Sequence, residues 1–414
     1  MSVLSNEERV KILSDIVSIK TVNSNELEVA HYLEKLFNRY GIRSHIDTVT
    51  DGRANLIATV GSSQPVIGIS GHMDVVSEGN HDHWTYDPFT LTEDQGYLYG
   101  RGAADMKSGL AALAIALIEI KESGKLKQGT IKFMATVGEE MEQSGSQQLF
   151  EKGYADDLDA LLIAEPSFPS LVYAHKGSMD FRIKSKGRAS HSSLPFLGQN
   201  AIKPLLEFIQ NINQEYEKIT QSVKGESLDF SNMINNLGSQ LPNHITKEKA
   251  QELIQGLVMT NSIVQGGTQV NSVPDFATAE FNVRTIPEYN NNKVKALFNE
   301  YIEQANQNGA SLTQELYLDL EPVVTTGQNR LVELGFDIAK SHFSNERDLI
   351  VTPTVAVTDA SNLLKGKDEN FPFLMFGPGN GPHQINECVE KANYLEFVEY
   401  YIEFITSYLN EENE

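Results

Sequence analysis

Val66-Ile67-Gly68-Ile69-Ser70 is a short apolar run that stops at Gly71-His72-Met73-Asp74, so an imidazole and a carboxylate follow directly on a strand-like segment. The arrangement returns three times. Thr130 to Val137 stops at Gly138-Glu139-Glu140, Ala160 to Ala164 stops at Glu165, and Phe371 to Phe376 runs into Gly377-Pro378-Gly379-Asn380-Gly381-Pro382-His383. Helical periodicity fills the stretches around them: Val10, Ile12, Leu13, Ile16 and Val17 near the start, then about 26 to 40, about 106 to 121, and a closing helix over about 395 to 409. Apolar runs alternating with helices predict an α/β domain, a mixed sheet flanked by helices.

From Ser178 the period changes. Met179, Phe181 and Ile183 alternate with Asp180, Arg182 and Lys184, and Ala279, Phe281 and Val283 alternate with Glu280, Asn282 and Arg284. Period two marks strands with one wet face. A polar, largely helical stretch lies between them. The chain is long enough, at 414 residues, for two cores. Residues 178–287 are therefore expected to form an inserted α+β domain, and residues 1–177 with 288–414 the larger one, to which a helix at about 292 to 308 and an apolar run at 349 to 357 are assigned.

The formal net charge of -23, from 33 Lys+Arg against 56 Asp+Glu, repels phosphate backbones and anionic lipid, so neither nucleic acid nor a membrane is an expected partner. Cys388 is the lone cysteine and cannot form an intrachain disulfide. The first residues lack the basic-then-apolar pattern of a signal peptide, and the run Leu110 to Ile118 is too short to span a bilayer. A soluble cytoplasmic protein is expected.

Ligands of open α/β sheets bind outside the carboxyl ends of the strands, so His72, Glu139, Glu140, Glu165 and His383 are expected to converge. Asp105 joins them from Gly100-Arg101-Gly102-Ala103-Ala104-Asp105, a glycine-bearing turn just ahead of a helix. Carboxylates crowded together cannot all ionise unless cations neutralise them. Two imidazoles with three carboxylates suit two divalent ions, Zn2+ first and Co2+ or Mn2+ as substitutes, if one carboxylate bridges. Glu139 and Glu140, adjacent in what reads as an extended segment, point opposite ways; one can ligate while the other serves as general base. Asp74, two residues past His72, can orient its imidazole. His81 and His83 read as solvated loop side chains, and the turn around Gly102 is no phosphate loop because no Lys-Ser/Thr pair follows it.

These segments, Ser70-Gly71-His72-Met73-Asp74-Val75-Val76, Gly100-Arg101-Gly102-Ala103-Ala104-Asp105-Met106-Lys107, Gly138-Glu139-Glu140, Ala164-Glu165-Pro166 and Gly381-Pro382-His383, resemble the superfamily of acetylornithine deacetylase, succinyl-diaminopimelate desuccinylase, aminoacylase and carboxypeptidase G. The resemblance spans nearly the whole chain. It implies a zinc-peptidase-like catalytic domain with an inserted lid and dimerisation domain. It implies that His72 and Glu165 complete one metal site, Glu140 and His383 the other, that Asp105 bridges, that Glu139 is the general base and that Asp74 partners His72. On the lid it implies a histidine at His191, which in dimeric members reaches the partner's active site to meet the developing oxyanion, and a pair, Asn271 and Arg284, that holds the substrate carboxylate. The run from Trp84 through Tyr86-Asp87-Pro88-Phe89 is most similar to the desuccinylase and acetylornithine deacetylase branch, which implies a homodimer removing the acyl group of an N-acyl amino acid, with N-succinyl-diaminopimelate first. Acetylornithine deacetylase, a dipeptidase or aminoacylase with the same centre, a metal-binding scaffold without hydrolysis, and a phosphoesterase are the alternatives.

Overall fold

The apolar runs become strands of one eight-stranded sheet, in the order Arg43–Thr50, Arg53–Gly61, Thr130–Thr136, Val66–His72, Ala160–Pro166, Phe373–Gly377, Ser170–His175, Ile350–Thr354. The computed structural model describes residues 2–237, 241–242, 244–343 and 348–410. The strands Thr130–Thr136, Val66–His72, Ala160–Pro166 and Phe373–Gly377 pair in parallel, so their carboxyl ends share one edge of the sheet. Every residue of Val66–His72 is buried, as expected of a strand covered on both faces. Phe373–Gly377 sits between Ala160–Pro166 and Ser170–His175, two strands that are consecutive in the chain.

Helix Lys107–Ser123 is buried from Lys107 through Ile120, so it is covered all round rather than along one stripe. At Gly109 a Cβ would stand 2.0 Å from the Ala164 carbonyl oxygen, which is why this helix lies directly on the strand that carries Glu165. Helix Lys391–Asn410 closes the layer through an aromatic cluster of Phe168, Phe343, Phe376, Phe397 and Tyr400, with Tyr401 donating to the Phe376 carbonyl at 2.7 Å. Among the described residues no helix is long and apolar enough to cross a membrane.

The chain divides into two compact units, residues 1–174 with 325–352 and 358–414, and residues 175–324 with 353–357. The second unit therefore runs well past the expected boundary at 287. Its sheet has the order Val258–Gly266, Phe276–Thr285, Gly177–Lys186, Leu312–Leu320. Leu312–Leu320 alternates exposed with more buried positions and pairs antiparallel with Gly177–Lys186, a strand beyond those expected. Helix Asn291–Gln307 belongs here too: it buries Val294, Leu297, Phe298 and Ile302, and Phe298 stacks on Phe181 with centroids 4.3 Å apart. The helix, and the residues of the strand, were expected in the larger domain; their apolar faces find their partners in this second core instead.

Candidate metal centre

The shared edge of the four parallel strands gathers the polar residues. His72 ends its strand and Glu165 stands one residue before the end of Ala160–Pro166. Glu139 and Glu140 follow Thr130–Thr136 in a turn, with Gly138 at φ +73, rather than in the extended segment expected. His383, at φ +64, lies in the loop after Phe373–Gly377.

Asp105 is the hub. Its Oδ1 is 3.1 Å from His72 Nε2, and its Oδ2 is 3.3 Å from His383 Nε2. Glu165 Oε1 is 3.6 Å from the His72 nitrogen, and Glu140 Oε2 is 3.0 Å from the His383 nitrogen. Glu139 stands to the His72 side, with Oε2 at 4.0 Å from Nε2. Ligand atoms of His72, Glu139 and Glu165, and likewise of His72, Asp105 and Glu140, lie mutually within 4.8 Å.

Asp74 takes a different position from the one expected. His72 Nδ1 meets the Asp74 backbone carbonyl at 2.9 Å, while the Asp74 carboxylate is 3.7 Å away. That carboxylate accepts the backbone N–H of Glu139 at 3.2 Å and of Glu140 at 3.1 Å, so it pins the turn that presents both glutamates. The carbonyl is the nearer acceptor because the carboxylate is engaged by two backbone donors.

Electrostatically the cluster is short of positive charge. Burial, reinforced by Glu165, holds Glu139 well above the usual carboxylate range; burial and the neighbouring Asp105 raise Glu140. Burial, with Asp105 and Glu140 adding to it against His72, pushes Glu165 up to about 8. Asp105 resists burial because hydrogen bonds from His383 and His72 hold its carboxyl well below the ordinary range. His383 is pushed up to about 10 by its hydrogen bonds to Asp105 and Glu140. Burial disfavours a charged His72, and Glu165 and Asp105 outweigh it.

This donor set fits divalent cations. The carbonyl of Asp74 can only accept, so Nδ1 of His72 carries the proton and, in the neutral ring, Nε2 offers a lone pair toward carboxylates. A lone pair and several carboxylates aimed at one region share a preference for a cation, and the nitrogen and oxygen donors suit zinc-type ions.

Several residues around the cluster carry no sequence signature. Glu387 is buried, its Oε1 accepts the backbone N–H groups of Gly102, Ala104 and Asp105 at 2.9 to 3.0 Å, and its Oε2 pairs with Arg101. Asp359, also buried, accepts from Thr136 Oγ1 at 2.5 Å and is pushed up to about 6 by burial. Gln143, fully buried, donates to Glu139. Glu139 and Gln143 are spaced i,i+4, which is the one trace of this contact in the sequence.

The three lid candidates lie on the second unit. His191 is exposed, with Nδ1 2.7 Å from Ser193 Oγ, and it bridges to Ser272, while Ser192 donates to the Asn271 carbonyl at 3.0 Å. His191 and Asn271 are thus neighbours. Arg284 lies on the strand Phe276–Thr285, registered with Val258 and Ser178. His81 and His83 form a short exposed turn, as expected.

A family model described as peptidase family M20/M25/M40 matches residues 68–407. A probable succinyl-diaminopimelate desuccinylase of Staphylococcus aureus strain MRSA252 is 43% identical over 413 residues, covering 99% of this chain and 100% of its own. One so described from Staphylococcus epidermidis strain ATCC 12228 / FDA PCI 1200 is 44% identical over 411 residues, with the coverage again 99% and 100%. The solved M20 family metallo-carboxypeptidase Sso-CP2 of Sulfolobus solfataricus superposes with a TM-score of 0.80 at 19% identity, covering 97% of this chain and 99% of its own, a likeness of fold.

Proposed function

The chain belongs to peptidase family M20/M25/M40 and is a metal-dependent hydrolase, and from that premise we propose that it cleaves the amide of N-succinyl-diaminopimelate to succinate and diaminopimelate. The carrying observation is Asp105, with one oxygen at each of two imidazoles and a second carboxylate beside each. The name of the full-length relatives supports the substrate.

His72 and Glu165 would hold one ion, Glu140 and His383 the other, and Asp105 both, with Zn2+ the expected metal and Co2+ or Mn2+ substitutes. Bound there, the ions supply Lewis acidity and lower the pKa of water. Glu139 takes the proton of the attacking water on Oε2, the oxygen turned to His72, and returns it to the nitrogen of the departing amine. Asp74 keeps Glu139 and Glu140 in place through their backbone N–H groups. His191 would hydrogen-bond the developing oxyanion in a partner's site, and Asn271 and Arg284 would take the substrate carboxylate, which a guanidinium fork grips bidentately. A homodimer fits an edge strand, Val258–Gly266, that exposes Ile263 and Val264. We place the reaction in the cytoplasm, in keeping with a lone thiol that cannot form an internal disulfide.

The test is a panel of N-succinyl, N-acetyl and dipeptide substrates offered to zinc- and cobalt-loaded protein, with N-succinyl-diaminopimelate expected to give the highest kcat/KM. Preferred turnover of N-acetylornithine or a dipeptide overturns the substrate; a fully loaded protein inert to the panel overturns hydrolysis of this class. Glu139→Ala should lower kcat by about 1,000-fold or more with metal content intact. A near-normal rate would remove Glu139 as the base.

A further inference from the structure

We propose that Gln143 is the positioning residue of the general base, holding Glu139 by one carboxylate oxygen so that the other faces the metal ligands. The inference rests on the reading of Glu139 given above.

Gln143 is fully buried and stands at φ 52, immediately ahead of helix Ser144–Glu151. Its Nε2 donates to Glu139 Oε1 at 2.8 Å, and its backbone N–H donates to the Gly138 carbonyl at 2.6 Å, so side chain and main chain both close on the turn that bears Glu139. The direction of the amide is set from behind. Lys365 Nζ donates to Asn362 Oδ1 at 2.6 Å, which leaves Asn362 Nδ2 to donate to Ser146 Oγ at 3.0 Å and to approach Gln143 Oε1 at 3.4 Å. An ionised Glu139 carboxylate only accepts, so Gln143 turns its NH2 group to it and leaves its oxygen on the side of Asn362.

The two oxygens of Glu139 are thereby distinguished. Oε1 is occupied by the Gln143 amide, and Oε2 is the one turned toward His72 Nε2. A glutamate on a turn has three side-chain torsions to fix, and a base that wanders by an ångström loses most of its advantage. The backbone supplies an independent argument. A left-handed conformation suits glycine or asparagine better than glutamine, so at this position the side chain, not the main chain, accounts for the residue.

Two variants guard against a folding defect. Gln143→Met keeps the length of the side chain and removes the donor; Gln143→Asn suits the backbone better and withdraws the amide by one methylene. Each is expected to lose about 10- to 100-fold in kcat, with KM within about threefold and the metal content unchanged. In crystals of the metal-loaded Gln143→Met protein, the Glu139 carboxylate is expected to be rotated or spread over conformers, against a single one bonded to Gln143 in the wild type. A kcat within about twofold of wild type in both variants, or a loss that comes with released metal, overturns the proposal. Should the wild type hydrolyse nothing on the substrate panel, the proposed function falls, while the position of Glu139 in the two crystals still decides the role of Gln143.

Discussion

His175 is buried with its Nδ1 2.7 Å from the Lys176 carbonyl, and burial, only partly offset by that hydrogen bond, pushes the imidazole down to about 4 from an ordinary 6.5. The folded chain therefore keeps this ring neutral where the unfolded chain would protonate it. Since the unfolded state binds more protons between those two values, the stability His175 contributes is complete above about 6.5 and drains away as the pH falls toward about 4. Urea unfolding of wild type and His175→Gln across this window checks it, with the wild type expected to lose more stability on acidification; parallel losses would acquit the histidine. Of the proposed ligands, His72, Glu140, Glu165 and His383 stand out one by one in the sequence, because a histidine or glutamate where an apolar run ends has few structural reasons to be there. Gln143 and Asp359 do not, since an amide or a carboxylate that serves another side chain looks like any polar residue near a turn.

The turn from Gly100 to Asp105 shows the same limit one level up. Its glycines mark it as a turn in the sequence, but what fixes it is Glu387, far along the chain, through three backbone N–H groups and Arg101. Backbone donors have no residue identity, so no pattern announces such a contact. Glu387→Ala would leave buried Arg101 without its countercharge and three N–H groups without an acceptor, at a cost of about 3–5 kcal/mol in stability, together with weaker binding of divalent metal if Asp105 is the ligand proposed above. Chemical denaturation of the apoprotein and a zinc titration measure the two effects. Unaltered values in both would show that the turn holds itself. Among regular elements, the four parallel strands and the long buried helix were read from their apolar runs. Leu312–Leu320 escaped because Gln314 interrupts its more buried face, so the sequence looked like loop between helices.

At the scale of the whole molecule, the inserted unit was visible from the change of period at Ser178, but its far boundary depended on long-range pairing that no local pattern carries. That unit's exposed edge is where the proposed homodimer is tested: Ile263→Glu with Val264→Lys should give a monomer by sedimentation while the unfolding temperature of the chain changes little, because neither side chain is buried in the core. A variant that sediments like the wild type would move the interface elsewhere. The large sheet has a consequence for how the chain is made. A ribosome releases Ala160–Pro166 and Ser170–His175 together, and their order invites them to zip into a hairpin, yet in the finished fold Phe373–Gly377 lies between them. That slot can be filled only once residues 373–377, far later in the chain, have been made. Any product truncated before residue 373 is left with two raw strand edges, the surface on which chains stick to one another rather than mature.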